Sequence, residues 1–289
     1  MSRPLLPLLA LLALAALARA EEKTRLRYEF AQLSGTVATY RIVSEQRVAQ
    51  SIQGGPDAEG AVQAKAGEVF TRIEETQEWV FKRNANGGRI KIETKDFVVL
   101  LEEEGQRVEY RSGQPGPVPP KLEPLVAKLG KPVTLEVSSR GQVTRVRGVS
   151  RKLRKGFEAT FVELPRDPLE VGESWEITDR QPMPPLGRLI FRFAYTFHGE
   201  EEGDFGPQRR VEAKVSATFD DETGKEELID VSLGKHDGKG QLLLRPDGLV
   251  VESSLESTLE VLVKAPAGEQ GQVIKNASQQ ILIRVGQAE

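Results

Sequence analysis

From Leu249 to Val263 apolar and polar residues alternate almost without a break. Leu249, Val251, Leu255, Leu259, Val261 and Val263 share one parity with Ser253 and Ser257, and Val250, Glu252, Ser254, Glu256, Thr258, Glu260 and Leu262 occupy the other. A period of two over so long a stretch predicts a β-strand with one buried and one wet face. Strands usually run about five or six residues, so this one implies a tall, twisted antiparallel sheet.

Turn chemistry joins further alternating runs into hairpins. Arg245-Pro246-Asp247-Gly248 links Gln241–Leu244 to the long strand. Val211, Ala213, Val215, Ala217 and Phe219 alternate up to Glu222-Thr223-Gly224-Lys225, and Ile229, Val231 and Leu233 alternate back. Ser139-Arg140-Gly141 separates Val133–Val137 from Val143–Val146. Asn84-Ala85-Asn86-Gly87-Gly88, the strongest turn signal, separates Trp79–Phe81 from Ile90–Ile92. Gly234-Lys235-His236-Asp237-Gly238 reads as a glycine-bounded loop, and Ile281, Ile283 and Val285 mark the last strand. The alternation rule predicts about fourteen strands. The one helical signal of any length is Leu122–Leu129, stopped by Gly130 and Pro132. The expected fold is all-β: long antiparallel strands in a twisted sheet, as a half-barrel or sandwich, with at most one or two short helices.

Residues 1–20 break this pattern. Arg3, the Leu/Ala-rich run Leu5–Leu17 and the small-x-small triplet Ala18-Arg19-Ala20 have the three parts of a secretory signal peptide. The run is shorter than the ~20 apolar residues a membrane span needs. The expected address is therefore exported, periplasmic or extracellular. No second long apolar run follows, so no transmembrane anchor is expected. The Pro-rich run Gly113–Pro120 divides the remainder into an N-terminal β region (21–112), a linker or loop (113–124) and a C-terminal β region (125–289).

Composition narrows the chemistry. The chain has no cysteine, which excludes disulfides, thiol catalysis and thiolate metal sites. Its formal net charge is −3, and Arg3 and Arg19 lie in the leader, so the mature chain is more acidic still. Bulk binding to nucleic acid wants the opposite sign. Of the two histidines, His198 follows the Leu189–Phe197 run and His236 lies in the expected loop, and neither has a partner at metal-ligand spacing. No nucleophile elbow and no phosphate-binding glycine loop is present. Asp220-Asp221-Glu222-Thr223-Gly224 reads as a charged hairpin tip rather than a calcium loop. Asn276-Ala277-Ser278 matches a glycosylation sequon just before the last strand and reads as chance. Catalytic residues, metal ligands and cofactors are therefore assigned to none.

Two surface features remain. Leu189, Phe191, Phe193, Tyr195 and Phe197 place four aromatic rings on one face of one strand, either as core or as the lining of a cavity for an apolar ligand. Arg140–Lys155 contains no acid, and Arg145, Arg147, Arg151, Lys152, Arg154 and Lys155 form a patch able to contact anions, or a solvated edge.

The segment Leu164-Pro165-Arg166-Asp167-Pro168-Leu169-Glu170-Val171-Gly172-Glu173-Ser174-Trp175 resembles one found in a family of exported, β-rich bacterial proteins of unknown function, common in planctomycete-like genomes. The resemblance extends to Leu26–Phe30, Val143–Gly148 and Gly238–Leu242, and implies export and a β fold without assigning catalytic residues. At the level of fold alone, export, long strands and an aromatic face are similar to the outer-membrane lipoprotein carriers, open half-barrels around an acyl-binding cavity. The expected function is non-enzymatic: an extracytoplasmic binding or envelope-associated protein. The alternatives are a carrier of lipid or another apolar ligand, a hydrolase of envelope polymers, and a structural sheet that pairs with envelope proteins through its edges.

Overall fold

The computed structural model describes residues 23–287 except 54–66, 128, 130, 150–156, 158–160, 184–186, 221–229 and 265–273, and among these lie twelve strands and two one-turn helices. The leader read at 1–20 and the turn read at 222–225 lie outside the described residues. The strands are β1 (Val37–Gln53), β2 (Gly67–Asn84), β3 (Gly87–Glu103), β4 (Gln106–Arg111), β5 (Val133–Ser138), β6 (Val143–Arg147), β7 (Ser174–Met183), β8 (Gly187–Gly203), β9 (Gly206–Asp220), β10 (Asp230–Leu244), β11 (Val250–Lys264) and β12 (Ile274–Gln287). The helices are α1 (Phe30–Leu33) and α2 (Glu123–Val126). At roughly 3.3 Å per residue, the 17 residues of β1 or β8 reach on the order of 55 Å.

Every strand belongs to one antiparallel sheet in the order β6-β5-β3-β2-β1-β12-β11-β10-β9-β8-β7, with β4 sharing the edge of β3 with β5. A separate antiparallel bridge joins Thr24 to Leu169. Hairpins build each half of the sheet, and the first and last strands join the halves, from Tyr40↔Gln287 to Gln53↔Ile274. The Pro-rich run lies within this sheet's connectivity, carrying the chain from β4 at one end of β3 to β5 at the other.

The turns form where side chains hold them. Asn84 Oδ1 accepts from the Asn86 amide at 2.9 Å, and Asn84 Nδ2 donates to the Gly88 carbonyl at 3.1 Å. Asp247 Oδ1 accepts from the Leu249 amide at 3.1 Å, and Gly248 takes φ +85° beside the Arg27 carbonyl, where a Cβ would collide.

The core sits at one end of the strands, here called the base. It gathers Ala38, Tyr40, Trp79 and Phe81 from β1 and β2, Ile90 and Leu135 from β3 and β5, and Tyr195, Phe197, Val211, Leu242 and Leu244 from β8–β10. Strands from both ends of the sheet meet in this one cluster, so the sheet curls, as a half-barrel does. Two segments close the base. Leu26, Tyr28, Phe30 and Leu33 are buried there, while the Tyr28 amide donates to Ser139 O at 2.9 Å and the Glu29 amide to Asp247 O at 2.8 Å, tying turns from both halves together. Segment 161–164 spans the gap between β6 and β7. Leu164 N donates to Arg140 O at 2.7 Å, Arg140 Nε donates to Leu164 O at 2.9 Å, and Trp175 Nε1 donates to Glu163 O at 3.0 Å.

Four sequence readings change. Residues 234–238 are not a loop but lie within β10, with a bulge between Leu233 and His236. The glycines of this part of β10 are there because neighbours press close: a Cβ on Gly238 would stand 2.9 Å from Val215 Cβ, and one on Gly240 2.6 Å from Ser254 O. His198 lies inside β8, at its bulge between Phe197 and Gly199, rather than after the strand. Asn276–Ser278 lies inside β12 rather than before it. The helix read at Leu122–Leu129 shortens to the four residues of α2. The expected fold class itself is what the chain adopts.

Candidate functional site

The sheet has two contrasting faces, and the inward one is followed here from the core toward the opposite end, the rim. On β1 the parity that buries Ala38 and Tyr40 continues through Ile42, Ser44, Gln46 and Val48. On β2 it runs from Phe81 and Trp79 through Gln77, Glu75, Ile73, Thr71 and Val69. A bulge between Thr76 and Gln77 resets β3, so that Phe97, Val99 and Leu101 continue the face of Ile90 and Ile92. Beside them, Tyr110 of β4 meets Phe97 with ring centroids 6.1 Å apart.

The aromatic strand lies on the opposite wall. Its five residues share the inward face, and their environment changes along β8. Phe197 is 1% exposed and Tyr195 is 9% exposed, both within the base core. Phe193 packs against that core, and Phe191 lies beyond it and is half-buried. Leu189 is buried near the rim, outside the core cluster. The rings form a continuous run: Trp175 stacks on Tyr195 at 5.1 Å, Tyr195 neighbours Phe193 at 6.4 Å, and Phe193 neighbours Phe191 at 6.4 Å. Fully buried core and half-buried surface are thus two parts of one face.

Across this wall the register continues the apolar surface. Ala217 pairs with Phe191, Phe219 with Leu189, and Leu255 and Leu259 with Gly240 and His236. The His236 ring meets Phe191 edge-on at 5.8 Å, and both imidazole nitrogens are buried without a hydrogen-bond partner. Burial holds its pKa below the usual histidine value, with Asp237 acting in the opposite sense.

The β2 wall carries a polar ladder. Trp79 Nε1 donates to Gln77 Oε1 at 2.9 Å, Gln77 Nε2 donates to Glu75 Oε2 at 2.9 Å, and Thr94 Oγ1 donates to the same oxygen at 3.1 Å. The Glu75 carboxylate is therefore held by neutral donors. Glu75, Gln77, Thr94 and His236 escaped the sequence reading. Glu74-Glu75 blurs the alternation of β2, and the glycines of β10 disguise a strand. The available signal was the shared parity of Gln77 with Trp79.

The outward face is ionic. Arg41 and Arg72 both bind Glu74, Arg72 also reaches Glu45 at 3.2 Å, and Lys95 reaches Glu78 at 3.1 Å. A groove of about 300 Å³ on this face is lined by Arg41, Arg72, Glu74, Asp96, Arg107 and Arg111. Most of its charges are paired, since Arg107 also reaches Glu109 at 3.1 Å. Of the expected anion patch, Arg145 and Arg147 are exposed on β6, and Arg147 binds Glu136 at 3.1 Å. The patch residues Arg151, Lys152, Arg154 and Lys155 lie outside the described residues. The structure therefore places the described part of the patch on the face opposite the aromatic lining. Among the described residues no group of three acidic or histidine side chains could hold a metal ion, and no helix is long and apolar enough to cross a membrane.

Neither a protein-family model nor a curated protein sequence matches the chain, so the resemblance to the exported bacterial family gains no support. Two outer-membrane proteins are found among solved structures with low similarity. OprG from Pseudomonas aeruginosa is 5% identical, with TM-score 0.19, over 89% of this chain and 99% of that one. A channel from Pseudomonas putida F1 is 9% identical, with TM-score 0.17, over 87% and 96%. Scores so low carry no argument. A structure described as showing lipid–protein interactions in lipovitellin gives TM-score 0.50 at 11% identity and covers 89% of this chain. The chain spans about a quarter of the length of that lipovitellin chain, 25%. The likeness is one of fold alone: a long-stranded antiparallel sheet similar to one part of a much longer chain.

Proposed function

We propose that this protein is a non-enzymatic carrier that holds a lipid or another apolar ligand on the concave face of its sheet, outside the cytoplasm. One observation carries this reading. Beyond the base core, the inward face continues through half-buried Phe191, Phe97, Leu101, Ile73, Leu255 and Leu259, interspersed with buried Val99, Leu189 and Val215, and no further described secondary-structure element packs across it. Apolar area kept from full burial is an opportunity for a ligand, at about 25 cal/mol per Å² covered. The ionic outer face supports a cup in water, since a membrane-spanning barrel turns its apolar band outward. The likeness to part of lipovitellin, a protein whose structure is described by its lipid contacts, agrees with this reading. The expected leader at 1–20 supplies the address.

Titration with Nile red, an uncharged environment-sensitive dye, tests the proposal on protein purified without detergent. Saturable binding is expected, with native mass spectrometry of envelope-purified protein showing a co-purifying apolar mass. Phe191→Ser should weaken dye binding about tenfold, equivalent to roughly 1.4 kcal/mol, with little change in thermal midpoint. No saturable binding and no co-purifying mass would refute the carrier function.

A further inference from the structure

We infer that the ligand of this concave face is an uncharged lipid, and that the site discriminates against fatty-acid carboxylates and phosphate-bearing lipids. This rests on the carrier reading and names the chemistry it selects.

The distribution of charge between the two faces carries the inference. Above the core the strands are rich in basic residues, yet most fall on the outward parity: Arg41 and Arg47 on β1, Arg72 on β2, Arg192 on β8, Lys214 on β9 and Lys239 on β10. The register sets one lysine, Lys275 of β12, on the inward parity, at the rim end opposite Ile52 and Val263. Among the described inward side chains above the core there is no lysine and no arginine. Near the rim, Lys121 is bound to Glu103 at 3.0 Å. The inward face does contain acids. Glu75 accepts hydrogen bonds only from Gln77 and Thr94, and Asp179 of β7 accepts one from Gln181 at 3.0 Å. His236 is a poor counter-charge, because burial of both ring nitrogens without a hydrogen bond disfavours the protonated ring more than Asp237 favours it.

An anionic head group drawn below the rim would leave water without meeting a cation among the described side chains. It would also approach Glu75 or Asp179 where water is being displaced and the repulsion is poorly screened. An ester carbonyl or hydroxyl meets neither cost. Gln77, Thr94, Ser257 and the His236 ring offer neutral donors and acceptors of the kind it needs. Outward charges keep the carrier soluble without attracting anions inward.

The discriminating experiment compares a pyrene-labelled long-chain fatty acid with its own methyl ester, at a pH where the acid is ionised. The two differ in one charge and share the chain. The ester should bind at least about tenfold more tightly, and Glu75→Gln should narrow the gap. Glu75→Lys, checked for folding by circular dichroism, should favour the acid. Equal or tighter binding of the acid to the wild-type protein would overturn this inference while leaving the carrier function standing. Failure of both probes and of Nile red would overturn the carrier function itself. An unchanged acid-to-ester ratio in a folded Glu75→Lys protein would remove Glu75 from the site.

Discussion

Tyr40 shows how a single buried phenol contributes to this sheet. Its ring lies 4.7 Å from Trp79, and its hydroxyl donates to the Val250 carbonyl at 2.9 Å, reaching from β1 across β12 to the start of β11. Removing that hydroxyl takes the donor from a part-buried carbonyl, so Tyr40→Phe should cost about 1 kcal/mol by urea denaturation. Tyr28 donates similarly to Val162 O at 3.2 Å. Burial raises the pKa of both phenols above the ordinary value of 10.0, and raises that of Tyr195 to about 12. The sign follows directly. Above about pH 10 the unfolded chain releases these protons while the folded one keeps them, so this contribution to stability is complete below pH 10 and falls as pH rises. Stability measured against pH should therefore decline on the alkaline side. Phenolate absorbance should appear together with unfolding, and the Tyr28→Phe, Tyr40→Phe double variant should flatten the slope.

At the scale of elements, β8 and β10 respond differently to substitution. The face of β8 passes from core to lining, so Phe197→Ala should destabilise by about 3–5 kcal/mol, whereas Phe191→Ala should cost less than about 1 kcal/mol and act mainly on ligand binding. Paired denaturation and Nile red titrations would separate the two effects, and equal destabilisation would show that the whole strand is core. In β10 the added Cβ of Gly240→Val would meet the Ser254 carbonyl, a backbone atom that cannot step aside, at a cost of about 2–4 kcal/mol by thermal denaturation. These elements also show what alternation reveals. β11 and the hairpins at Asn84–Gly88 and Arg245–Gly248 were legible because parity and turn chemistry agreed. The middle of β10 was not, since a glycine placed for close strand approach looks the same in sequence as one placed for a turn. The aromatic face was legible as a face, but its division into core and lining was not, because that depends on how far the base segments reach up the strand. The ladder from Trp79 to Glu75 needs β3 to contribute Thr94, and a single strand's sequence does not name its neighbour.

For the whole molecule, the decisive contact is the one most distant in sequence. β1 and β12 pair along their length, and this seam turns two hairpin stacks into one curled sheet with a shared base. Parity marked β12 through Ile281, Ile283 and Val285 but could not name β1 as its partner, because local alternation is satisfied by any antiparallel neighbour. The absence of native cysteine allows the seam to be tested without competing thiols. Register sets Arg47 opposite Gln280, and directly opposed Cβ atoms lie about 4.5–5.5 Å apart, within reach of a disulfide after small adjustment. Arg47→Cys with Gln280→Cys should therefore form an intramolecular bond on mild oxidation, read as a mobility shift reversed by reductant. Arg47→Cys with Ile281→Cys should not, because a step of one residue moves the partner to the other face of the sheet. Efficient bonding in the mismatched pair alone would show a slipped register and reverse which β12 residues face the cup. Bonding in neither would remove the seam, and with it the concave face on which the proposed apolar ligand would sit.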